Sequence, residues 1–115
     1  MKHLIIVAPL AVAMPAMGDF TDAELKAVTA NYTKHCASCH HREGTGKTTM
    51  GRKVGAKDFT DPKVIAEFTD EKALKNLKEG VKDRRGTEIK KPFTDKLSEE
   101  EMLALIKYTR TFAKK

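Results

Sequence analysis

Two thiols and an imidazole stand at fixed spacing in the run Cys36-Ala37-Ser38-Cys39-His40. This is the pattern of covalent haem attachment, in which the thiols add to porphyrin vinyl groups as thioethers and the histidine reaches iron from the proximal side. Two intervening residues let the cysteines reach neighbouring vinyls, and the covalent link prevents loss of the group outside the cell. Three other uses of these residues compete. A disulfide across so short a loop removes little unfolded-state entropy and leaves His40 without a task. A redox dithiol calls for a βαβ scaffold. Zinc needs further ligands, and His35 and His41 crowd the same short segment too closely to complete a tetrahedron. Haem c held covalently by Cys36 and Cys39, with His40 as proximal axial ligand, employs all three groups.

A chain of 115 residues has room for one domain, and with 6% aromatic residues and no tryptophan its side chains alone make a thin core. A large prosthetic group would supply the missing apolar volume. Lys2, the apolar run Leu4 to Val12 and the small residues Ala16 and Gly18 read as a secretory signal. Cleavage after Gly18 is expected, leaving a domain over 19–115 and an exported, periplasmic location. The apolar run is interrupted by Pro9 and falls short of the roughly 20 residues a membrane span needs. Removing that segment takes away one lysine and no acid, so the formal charge falls from +6 to +5. The lysines are interspersed with acids, and export argues against nucleic acid, so an acidic protein or an anionic membrane surface is the expected partner. Association as a homodimer or heterodimer stays open.

The elements that must position the motif are helical. Thr21 and Glu24 form a capping box, with Phe20 and Leu25 as a hydrophobic staple, opening a helix that carries Leu25, Val28 and Tyr32 on one face as far as Lys34. From His41 to Phe59 no period is sustained, and four glycines suggest a long loop, which inside a small domain must wrap something. Asp61-Pro62 opens a short helix with Val64, Ile65 and Phe68 as its apolar residues, and Thr69 caps the next, which places Leu74, Leu77 and Val81 inward and stops at Gly80. A charged turn over 82–91 follows. Ser98 and Glu101 cap the last helix, stapled by Leu97 and Met102, with Leu105, Ile106, Tyr108 and Phe112 as its buried stripe. The expected architecture is all-α, four to five short helices around one haem.

A capped helix, Cys-x-x-Cys-His, a glycine-rich loop, short helices and a final amphipathic helix together resemble the small class I cytochrome c family over nearly all of 19–115. The resemblance implies a crossed pair of terminal helices, a partly exposed haem edge and lysines that dock acidic redox partners. Lys47, Lys53, Lys57, Lys90 and Lys91 are the candidates for that rim. Members of the family usually carry the second iron ligand as a methionine just ahead of a Lys-Pro-aromatic turn. Here the segment reads Glu88-Ile89-Lys90-Lys91-Pro92-Phe93, and matching its last three residues to the turn puts Lys90 in the methionine position.

Four arrangements of the distal face follow. Lys90 could bind iron as a neutral amine, which requires iron to outcompete a proton on a group of ordinary pKa about 10.4. The sixth position could be open, giving a five-coordinate haem that binds nitric oxide or carbon monoxide. Met50 could swing across from the loop, although packing against haem is its plainer use. A partner chain could supply the ligand, as in a haem subunit of a larger redox complex. Met102 belongs to the staple, and His41, adjacent to the proximal ligand, cannot reach the opposite face. His35 takes no ligand role and, as a cation, would suit the first helix's C-terminal dipole. Tyr32 and Tyr108, which could bond a propionate, sit on apolar faces as core residues. Electron carriage between redox partners is the expected function, and no acid-base pair marks this chain by itself as an enzyme.

Overall fold

A computed structural model describes residues 20–113, so the expected signal segment and its cleavage site lie outside the described residues. Six helices are present there: α1 (Asp22–His35), α2 (Ala37–His40), α3 (Thr49–Val54), α4 (Pro62–Ala66), α5 (Asp70–Glu79) and α6 (Glu99–Arg110). Two short strands, β1 (Val81–Lys82) and β2 (Glu88–Lys90), form an antiparallel hairpin between α5 and α6. No helix among the described residues is long and apolar enough to cross a membrane.

The first and last helices start as their sequences dictate. Thr21 Oγ1 accepts from the Glu24 amide at 3.1 Å while the Thr21 amide donates to the Glu24 carboxylate at 2.9 Å. Ser98 and Glu101 repeat the exchange at 3.1 and 2.9 Å. Each box satisfies two amides that a helix N-terminus otherwise leaves without partners, a contribution of about 1 kcal/mol. α1 and α6 pack together, and α5 lies against α6. Val28 and Tyr32 of α1 meet Met102, Leu105 and Ile106 of α6, with Leu77 and Leu97 completing the buried core. Tyr32 packs against Tyr108 and Phe112, with ring centroids 5.3 Å apart in both pairs.

Leu97 and Met102 are both buried, as a staple requires. At α1 the matching pair differs, because Leu25 is 43% exposed. Phe20 turns instead to the edge of Tyr108, 6.4 Å away, beneath the Lys107 ammonium at 4.5 Å. Phe20 thereby packs against the core through an edge-to-face contact with α6.

Two segments depart from the expected layout. The span 41–59 contains α3, capped by Thr48, whose hydroxyl accepts from the Gly51 amide at 2.8 Å, and closed by Gly55 at φ 71°. Both boundary signals are in the sequence, but six residues with an internal glycine carry no apolar stripe to announce them. The charged segment after Gly80 folds back as the hairpin, with Val81 opposite Lys90 and Lys82 opposite Glu88 across a bulge. Asp83 shapes its tip by accepting from the Arg85 and Thr87 amides at 2.8 and 2.9 Å. Strands of two and three residues are too short for a period-two pattern.

Candidate haem site

Cys36, Cys39 and His40 leave the same side of the chain because Cys36 is the N-cap of α2 and the other two follow within its single turn. At about 100° per residue, positions three and four further on lie about 60° and 40° to either side of the first. Both cysteines are half-buried and neither is in a disulfide, so both sulfurs are available for thioether formation. Burial, more than the neighbouring Cys39, pushes the Cys36 thiol up to about 11, against the lowering effect of the Lys90 ammonium.

A helix of one turn cannot hold its own geometry, and the C-terminal carbonyls of α2 are satisfied from outside. The Thr48 hydroxyl lies 2.8 Å from the Ser38 carbonyl and 2.9 Å from that of Cys39, and donates between them. The Gly46 amide donates to the His40 carbonyl at 2.8 Å. The Tyr32 hydroxyl donates to the His41 carbonyl at 2.6 Å, and burial raises its pKa far above the phenol range, so it stays a donor. α3 comes so close to α2 that a Cβ on Gly51 would collide with the Cys39 and Gly46 carbonyl oxygens. The glycine-rich loop therefore wraps the motif's backbone.

His40 Nδ1 lies 3.3 Å from the Lys57 carbonyl oxygen, which can only accept, so this contact requires the proton on Nδ1 and leaves the Nε2 lone pair free. Burial, then the Lys90 ammonium, lowers the His40 pKa to about 4, against the raising effect of that carbonyl. The imidazole is accordingly neutral at physiological pH, the form in which histidine binds metals. Its ring lies on Phe59, with centroids 4.4 Å apart and planes 20° from parallel. Two cysteines outside any disulfide and a neutral imidazole whose Nδ1 contact directs the Nε2 lone pair to a metal, on one side of a short helix, fit the demands of covalent haem.

Lys90 enters from the hairpin. It is half-buried, and desolvation lowers its pKa while Cys36 and Cys39 act to raise it. The amine is thus within electrostatic range of both thiols and of His40. Gly80, at φ 78°, permits this placement, since a Cβ there would meet the Lys90 carbonyl at 2.6 Å. Met50 sits on α3 with 48% of its surface exposed. Lys47, Lys53, Lys57 and Lys91 are exposed, and Lys57 lies 3.8 Å from the Glu67 carboxylate.

Tyr108 lies in the aromatic cluster with Tyr32, and Met102 is in the core. His41 is half-buried and accepts the Glu43 amide at its Nδ1, 3.1 Å away. His35 is half-buried at the end of α1, where burial, with Lys34 and Lys96 beside it, lowers its pKa, and its ring meets Phe93 at 5.5 Å. The sequence offered no sign of the parts played by the Lys57 carbonyl and Phe59, whereas Thr48 had a readable signal, its cap position ahead of Gly51.

The family model described as cytochrome c matches residues 25–113. Among solved structures, the KustC0563 c-type cytochrome is 34% identical with a TM-score of 0.65, covering 75% of this chain and 96% of that one. A mutant of Kustc0563 with one tyrosine replaced by phenylalanine is 31% identical with a TM-score of 0.60, covering 74% of this chain and 96% of its own. No curated protein sequence gives a significant match.

Proposed function

This chain belongs to the cytochrome c family and carries covalently attached haem c, and from that premise we propose that it is an exported carrier of single electrons with an atypical distal iron ligand, Lys90. Haem c, when bound, supplies the Fe(II)/Fe(III) couple. In this reading Cys36 and Cys39 hold the group as thioethers, and His40 offers Nε2 to iron while Lys57 retains the proton on Nδ1. α2 is braced by Thr48, Gly46 and Tyr32, which limits reorganisation of the proximal side as charge changes. The placement of Lys90 at the end of β2, half-buried where the hairpin closes on Gly80, is the observation that carries the distal assignment, and burial lowers its pKa. Desolvation favours the neutral amine, and only that form has a lone pair to give.

Absorption and resonance spectra of wild type, Lys90→Ala and Met50→Ala test the assignment. Low-spin ferric iron in wild type that ignores carbon monoxide and nitric oxide, lost in Lys90→Ala and retained in Met50→Ala, is the expected result. The converse pair of results would restore methionine ligation, and high-spin wild type with rapid gas binding would make this an open-site gas-binding protein. Methionine ligation raises cytochrome potentials, so the midpoint potential is expected below that of histidine-methionine relatives. A potential within their range would contradict the lysine.

A further inference from the structure

We propose that Phe59 is a positioning residue that fixes the plane of the His40 imidazole, and with it the orientation in which the ring presents Nε2 to haem iron. This rests on the reading of His40 as the axial ligand. His40 Nδ1 has one polar tether, the Lys57 carbonyl at 3.3 Å, longer than the usual 2.9–3.0 Å. One hydrogen bond at one nitrogen leaves the ring free to tilt about the line of that bond. A face-to-face contact removes the tilt, and Phe59 provides it at 4.4 Å with planes 20° apart.

Phe59 is itself held. Its amide donates to the Gly44 carbonyl at 2.7 Å, which ties it to the loop that follows the motif. Phe68 meets its ring edge-on at 6.3 Å, and the Arg110 guanidinium lies over Phe68 at 4.7 Å. Arg110 is fixed in turn by the Asp70 carboxylate at 2.7 Å and by the Ile65 and Phe68 carbonyls, both at 3.3 Å. The orientation of the imidazole is thereby referred through Phe59 and Phe68 to the terminal helix α6. Phe59 lies beside the main apolar core, joined to it by Phe68, which packs against that core.

The test compares holoprotein variants by proton NMR and electron paramagnetic resonance of the ferric state, because the haem methyl shifts and the g-anisotropy follow the plane of an axial imidazole. Phe59→Leu is expected to redistribute the methyl shifts, while Phe59→Tyr, which keeps the ring, retains the wild-type pattern. Val28→Ala serves as a destabilised control and is expected to lower the melting temperature without moving the pattern. A wild-type pattern in Phe59→Leu would overturn the proposal, as would an equal change in Val28→Ala. Should Phe59→Leu not fold, nuclear Overhauser contacts between the Phe59 and His40 rings in reduced wild type decide the matter: their presence supports the stack and their absence overturns it. An axial-ligand spectrum unchanged in His40→Ala would remove His40 itself as ligand, a failure distinct from an unchanged Phe59→Leu.

Discussion

Tyr32 shows how one hydroxyl links the core to the site. Its ring belongs to the packed interior between α1 and α6, 1% exposed, while its hydroxyl reaches the carbonyl of His41, next to the proposed iron ligand. Tyr32→Phe keeps the ring packing and leaves that carbonyl without its donor. The expected loss is about 1–3 kcal/mol in denaturant unfolding of the holoprotein, with the helical signal retained. A loss within a few tenths of a kcal/mol would show that water replaces the phenol. The sequence made Tyr32 legible as a core residue from its helical spacing with Val28. Its hydrogen bond was not legible, because the acceptor lies nine residues away, past the end of α1.

At the scale of elements, the site depends on two close approaches of backbone. α3 lies against α2 at Gly51, and β2 lies against the end of α5 at Gly80. Gly51→Ala should be costlier than Gly55→Ala. At Gly55 the added Cβ meets open space and the left-handed conformation is the main cost, about 1–2 kcal/mol. At Gly51 no left-handed angle is involved, yet the Cβ meets two carbonyl oxygens, so α3 must move away from the motif. Unfolding midpoints of the two variants check the order, and equal midpoints would mean that α3 shifts freely. Caps and stops of the long helices were readable because each is a local exchange within four residues. The packing of α3 on α2 was not, since nothing about Gly51 by itself distinguishes a steric necessity from a flexible joint.

For the whole molecule, charge is the property that bears on partners. The chain is formally +6, and Lys47, Lys53, Lys57 and Lys91 are exposed, so long-range attraction to an acidic redox protein is expected. Electron-transfer rates with such a partner should fall as salt is raised, because fields are screened beyond about 8–10 Å near physiological ionic strength. A salt-independent rate would assign these lysines to ordinary solvated surface. The exposed ion pairs, Lys75 with Glu79 and Lys78 with Glu99, add little to stability for the same reason of screening.

The sequence by itself determined the cofactor, the helical class and the ends of the long helices. Each of these is encoded in residues a few positions apart: Cys36 to His40, Thr21 to Glu24, Ser98 to Glu101. Tertiary structure alone decided that Thr48 and Tyr32 brace the motif, that Phe59 lies on the His40 ring, and that a hairpin brings Lys90 into range of it. Those relations join segments up to 50 residues apart, from His40 to Lys90. Their cause is the packing of α6 on α1, of α5 on α6 and of α3 on α2, which no local pattern of residue types records.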